Sequence, residues 1–184
     1  MVVIPLSALF LAAAVAGLGA DTVQLPARTL LDLWLVTPIC EQTTPADHEI
    51  TLKLARDLKI KGQVIAAKGS TVTARVTRLQ KSSAFVHSVQ RTYYIVGLQL
   101  VSLNVGEKPI PVSGNLETVG PAVRQEDYFI PFSHSPDKWG ALEEYRAALK
   151  TPQPRPGESF LGVVREGLST PKDLRMAFLT TETQ

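Results

Sequence analysis

Ile65-Ala66-Ala67-Lys68-Gly69-Ser70-Thr71-Val72-Thr73-Ala74-Arg75-Val76 is the stretch on which the fold turns. A tight turn around Lys68-Gly69 opens into strict alternation. Val72, Ala74 and Val76 point one way and Thr71, Thr73 and Arg75 the other, the period of a half-buried strand. The same plan recurs twice. Leu25-Pro26-Ala27-Arg28-Thr29 leads into Leu31, Leu33 and Leu35, which alternate with Asp32 and Trp34. Leu168-Ser169-Thr170-Pro171-Lys172-Asp173 leads into Leu174, Met176 and Phe178, which alternate with Arg175 and Ala177. Each copy is an apolar residue, a turn carrying Pro, Ala or Gly with a basic residue, and then a strand. Pro presets φ and Gly supplies positive φ, so each turn aims the strand that follows. Three copies predict an all-β fold with quasi-symmetric halves, a small single β-barrel or a sandwich-like barrel.

Between the first two copies, residues 48–58 read as a strand, with Ile50, Leu52 and Leu54 alternating with Thr51 and Lys53. Lys61-Gly62 marks a tight turn or bulge leading into Gln63-Val64-Ile65. Residues 80–90, rich in Ser, read as a polar loop. Residues 92–103 form the longest strand candidate, apolar on both faces over part of its length, which predicts a central strand packed on two sides. Gly106-Glu107-Lys108-Pro109 is a turn, and Ile110-Pro111-Val112 an edge piece, since proline cannot serve a central ladder.

Residues 114–157 change character and read as an insertion. Residues 114–135 have no sustained period. Ser135-Pro136-Asp137 looks like a helix N-cap with Pro at the first position and an acid in the first turn. Trp139, Leu142, Tyr145 and Leu149 follow at helical spacing, so one short helix is predicted at about 137–150. Thr151-Pro152-Gln153-Pro154-Arg155-Pro156-Gly157 then reads as an extended linker, and residues 160–164 return to strand. Long excursions from compact β-domains often carry function. Tyr128, Phe129, Phe132, Trp139 and Tyr145 are therefore the candidate partner contacts, although such aromatics also serve as core positions.

The chain has 184 residues, enough for one domain with a real core. Lys+Arg 19 against Asp+Glu 17 leaves a net charge of +2, and no basic block stands out, which argues against a nucleic-acid partner. A single cysteine, Cys40, excludes a disulfide scaffold and a thiolate-rich metal site. Its placement suits a small buried side chain at a strand end. Residues 1–20 carry no charged side chain. An apolar run followed by small residues, with Ala14-Val15-Ala16 as an A-x-A site, is the pattern of a secretory signal peptide. An uncleaved N-terminal anchor is the alternative. Both place residues 21–184, a single β-domain, in the periplasm or outside the cell, with membrane contact confined to residues 1–20.

No catalytic set emerges. His48, His87 and His134 lie apart, and Ser133-His134 is a loop dipeptide rather than a nucleophile in a G-x-S-x-G elbow. Glu126-Asp127 and Glu143-Glu144 are adjacent pairs that cannot face each other across a substrate. Gly157-Glu158-Ser159 lacks the partners of a phosphate loop. We therefore expect no catalytic residues, cofactor or metal, and a non-enzymatic role in protein–protein interaction or envelope assembly, with an envelope protein or polymer as partner. A sheet of this kind can engage one by adding a strand at an open edge. The alternative is a secreted carbohydrate-binding module or hydrolase using the aromatic-rich region 126–139.

Leu25-Pro26-Ala27-Arg28-Thr29, Leu52-Lys53-Leu54, Gly62-Gln63-Val64-Ile65-Ala66-Ala67-Lys68-Gly69-Ser70-Thr71-Val72 and Leu98-Gln99-Leu100 together resemble a pattern of bacterial envelope proteins. In those proteins an LPAGT turn and strand are followed by a G-x-V-I-P-K-G-S turn and strand. The similarity spans about residues 24–112, with a closing strand at 170–180. It extends more distantly to the periplasmic β-barrel of TrbI-type components of conjugative type IV secretion channels. Arg28 stands where the pattern has glycine, and Ala66 where it has proline. The resemblance implies a barrel fold, an envelope location and, for the secretion components, a homo-oligomeric assembly. It carries over no functional residue.

Overall fold

The computed structural model describes residues 24–86, 89–106, 108–120, 128–132, 153–164 and 167–182, with the backbone alone at Ala84, Val86 and 128–132. The described residues form strands and turns and no helix. In chain order the strands are β1 (Leu30–Leu35), β2 (His48–Leu54), β3 (Leu58–Ile60), β4 (Gln63–Ala66), β5 (Thr71–Val86), β6 (Val89–Val105), β7 (Lys108–Pro111), β8 (Gly114–Val119), β9 (Tyr128–Phe132), β10 (Glu158–Val164) and β11 (Arg175–Thr180). One antiparallel sheet runs β8-β11-β1-β2-β5-β6-β10-β9, with β7 added to the end of β6, and β3-β4 is a separate hairpin. The sheet curls into a half-barrel. Its two ends approach each other where β8 lies beside β9 and β10, and the Leu116 N–H donates to the Ser159 hydroxyl at 2.9 Å. Strand pairing does not complete the circle among the described residues.

The alternation read from the sequence decides which face turns inward. Leu31, Leu33 and Leu35 of β1, Ile50 and Leu52 of β2, Val72 and Val76 of β5, and Met176 and Phe178 of β11 are all buried in one core. Each such side chain contributes on the order of 1.5–3 kcal/mol by leaving water. As anticipated, β6 is central. It pairs with β5 along one edge and with β10 and β7 along the other. Both its faces are buried over residues 93–98: Tyr94, Val96 and Leu98 join the main core, while Tyr93 and Ile95 are buried on the opposite face.

The three turn–strand copies share a backbone feature. Arg28, Gly69 and Asp173 occupy the same turn position in each and all take positive φ, at 64°, 88° and 67°. That is the third place of a four-residue turn, where some turn types demand a left-handed residue. Arg28 thus adopts the conformation that glycine supplies at no steric cost. The first turn is held by β11, with Arg28 N–H on the Thr180 carbonyl at 2.8 Å and Thr29 N–H on the Thr180 hydroxyl at 2.8 Å. Lys61 and Gly62, with φ of 50° and 83°, make the tight β3-β4 turn expected there.

Two expectations need revision. Residues 80–90 are not a loop: residues 80–86 continue β5 and 89–90 begin β6. A two-stranded extension far from the core is held by backbone pairing, so its sequence need not alternate apolar and polar. Within the expected insertion, Gly114–Val119 is a sheet strand paired with β11, and Leu116 is buried in the core. Tyr128–Phe132 is likewise a strand, paired with β10. Gly114, Pro121 and Pro131 masked the strand period there, because glycine and proline read as breakers even at sheet edges. The helix expected at 137–150, with Trp139 and Tyr145, lies outside the described residues. Cys40 is half-buried, free of any disulfide, and bridges Ser169 at a strand-like contact.

Candidate functional site

The longest strand pairing among the described residues overshoots the sheet that supports it. β2 pairs with β5 only between Thr71 and Val76, and β10 pairs with β6 only between Tyr93 and Gln99. β5 and β6 stay paired to each other out to Val86↔Val89. Residues 83–86 and 89–92 therefore form a two-stranded ribbon, and the β5 edge from Thr77 to Val86 has no strand against it among the described residues. An unpaired strand edge offers a row of N–H and C=O groups to another chain. At the ribbon's end Phe85 is 73% exposed and Val89 49% exposed.

A two-stranded hairpin is marginally stable by itself, so its root must be held. Two polar clamps do this, one on each face. On the outer face, the ladder shifts register between Val76 and Arg78, and this bulge brings Thr77 and Arg78 to the same buried carboxylate. Arg78 donates to both oxygens of Glu158, at 2.9 Å from Nε and 2.8 Å from Nη2, the two-pronged geometry that makes guanidinium pairs strong. The Thr77 hydroxyl and the Arg155 N–H at 2.8 Å complete the shell. Arg78 also lies 5.3 Å over the Phe160 ring. Burial alone would push the Glu158 pKa up, but the Arg155 N–H, Thr77 hydroxyl and Arg78 guanidinium together hold it below the ordinary carboxylate value. Gly97 sits opposite, and only its missing side chain leaves room for the carboxylate.

On the inner face, Tyr94 and Lys81 are cross-strand neighbours, and Glu41 reaches both from the β1–β2 connection. The Tyr94 hydroxyl donates to Glu41 at 2.7 Å, and the Lys81 ammonium donates to it at 3.1 Å while lying 5.6 Å from the ring centre. The Tyr94 hydrogen bond, and then that of Lys81, lowers the Glu41 pKa. Burial, and then Glu41, raises that of Tyr94.

A third ion pair braces the half-barrel elsewhere. Asp32 of β1 is buried and bonded through both oxygens to Arg175 of β11. Arg175 chiefly lowers the Asp32 pKa. An open cleft of about 590 Å³ lies by the start of β8, where Arg75, Gln99, Ser113 and Asn115 converge. These acids are spent on pairing, and no group of three His, Cys, Asp or Glu side chains suited to a metal occurs among the described residues. No described helix is long and apolar enough to cross a membrane.

Of the expected contact residues, Tyr128, Phe129 and Phe132 fall on β9, the last strand of the sheet, which pairs with β10 on one side. Trp139 and Tyr145 lie outside the described residues, so the five are not brought together here. Phe85 and Val89 escaped sequence reasoning. Their only signal was the apolar Ala84-Phe85-Val86 and Val89 within a Ser-rich stretch. A comparison of the chain with protein-family models, curated proteins and solved structures finds no match.

Proposed function

We propose that the chain is an exported, non-enzymatic envelope protein whose curled sheet serves protein–protein interaction or envelope assembly. The observation that carries this reading is the clamped ribbon with its bare β5 edge and exposed Phe85. A strand added there by an envelope protein would extend the ladder already shared by β5 and β6, with Phe85 as an apolar anchor. The clamps at Glu158 and Glu41 support it by presenting the edge in a fixed geometry, which reduces the ordering cost of binding. The uncharged residues 1–20, with Ala14-Val15-Ala16, support export to the periplasm or medium.

The test is photo-crosslinking in living cells, with a photoreactive amino acid at Phe85 and, as control, at the exposed Val64 of the β3-β4 hairpin. A discrete adduct from position 85 and none from 64 is expected. Equal adducts from both positions, or none from either, would remove the ribbon as the contact. Recovery of the chain in the cytoplasmic fraction would overturn export. Turnover of a cell-wall glycan or a hydrolase substrate by the purified chain would overturn the non-enzymatic part.

A further inference from the structure

Far from the ribbon, the outer face of β1 carries a second feature. Trp34 stands in register between Lys53 of β2 and Arg175 of β11, and its side chain remains 38% exposed beside Val36 at 39%. Two of the repeated turns rise around it. The Lys68-Gly69 turn is fastened to β2 by Gly69 N–H on the Leu54 carbonyl at 2.8 Å, and the Lys172-Asp173 turn to β1 by Asp173 N–H on the Leu35 carbonyl at 2.9 Å. Between them lies a groove of about 430 Å³ lined by Trp34, Val36, Lys53, Lys68, Lys172 and Asp173. That volume falls within the range of small-ligand sites.

Charge identifies the class of occupant. Three lysines face one acid, and none of the three ammonium groups forms an ion pair with a described carboxylate. Arg175, by contrast, is already committed to Asp32. The backbone excludes one mode of recognition: β1 is paired with β2 and β11, and β2 with β1 and β5, so no free edge exists there for a peptide strand. Recognition must come from side chains, an aromatic platform with three lysines in the same groove. Sugar rings have apolar faces that pack on an indole, and carboxylate or phosphate substituents pair with ammonium groups.

We propose that this groove binds a segment of an anionic glycan, sugar rings bearing carboxylate or phosphate groups. The turns are why the site exists: the basic residue of the second and third turn–strand copies is brought by the half-barrel to the groove that Trp34 lines. The proposal is independent of the ribbon.

The test is fluorescence anisotropy of a labelled oligogalacturonate titrated with the full chain, with its methyl ester and an oligoglutamate peptide as parallel probes. The acid form should bind saturably. Binding should weaken about 2–10-fold in Trp34→Ala, the range for one aromatic contact, and about 1.5–5-fold in each of Lys53→Gln, Lys68→Gln and Lys172→Gln. Salt should abolish it as the screening length falls toward about 3 Å. An unchanged melting curve for each variant shows that the loss is local. Equal affinity for the methyl ester would overturn the role of charge. Equal or tighter binding of oligoglutamate would overturn the glycan assignment. No saturable binding of the acid form, or wild-type affinity in Trp34→Ala, would overturn the site.

Discussion

Gly97→Ala pits two physical effects against each other, and the structure decides the sign. Glycine inside a strand is unfavourable by roughly 0.5–1 kcal/mol relative to alanine, so propensity alone predicts a more stable protein. The added Cβ, however, would stand 2.5 Å from Glu158 Oε1, 2.8 Å from Arg78 Cγ and closer still to the Thr77 hydroxyl. These atoms are the buried clamp itself, so none can yield without breaking the pair. Separating a buried ion pair costs about 3–5 kcal/mol, because a desolvated charge is left without its partner. Subtracting the propensity gain leaves a loss of about 2–4 kcal/mol, which for a domain of this size lowers Tm by roughly 4–16 °C. Urea unfolding followed by circular dichroism measures it, together with the same substitution in a Glu158→Ala background. With the carboxylate gone, Thr77 and Arg78 lose the partner that holds them against Gly97 and can turn aside, so the alanine should cost less than about 1 kcal/mol and the two sites should couple strongly. A Gly97→Ala protein as stable as the parent, or an equal loss in both backgrounds, would refute the argument that the carboxylate requires the glycine.

Arg28→Gly relieves a left-handed backbone that costs an ordinary residue about 1–2 kcal/mol, so it should raise Tm by about 2–8 °C; a lower Tm would show that the arginine side chain outweighs the strain. The pKa values of Glu158 and Asp32 are held below their ordinary values of 4.5 and 3.8. Their pairs therefore add stability above those values, and it is lost as pH falls through the lowered ones. The urea midpoint should drop with acidification below about pH 5, and Glu158→Gln should be less stable at neutral pH but lose less on acidification. Phe85→Ser should shift stability by no more than about 0.5 kcal/mol, since the side chain is 73% exposed, while reducing crosslinks placed elsewhere on the ribbon; a large fall in Tm would mean that Phe85 supports the fold instead.

Where burial leaves one face of a strand wet, the pattern survives in sequence, and β1, β2, β11 and the inner half of β5 were legible for that reason. Leu31, Leu33 and Leu35 could not alternate with Asp32 and Trp34 in a helix without scattering around it. The ribbon was illegible for the opposite reason: no described side chain of residues 80–86 is buried in the core, so burial does not constrain their polarity. The buried Glu158 was equally hidden. A glutamate beside a glycine reads as surface, and only the bulge at Thr77 and the gap at Gly97, distant in sequence, bring it inside. The basic residue recurring in the turns was visible from the start. Its convergence on Trp34 depended on strand order, which no local pattern encodes.

The pairing of β1 with β11 also has a consequence in time. Leu30 is opposite Leu179 and Leu31 opposite Phe178, contacts that span nearly the whole described chain. The first described strand therefore waits for the last described one before both of its edges are satisfied, and loops this long make closure slow. A chain emerging from a ribosome would hold β1 and its row of leucines half-assembled until β11 is made. That delay makes the first moments after synthesis the point of greatest exposure to aggregation or to a helper protein.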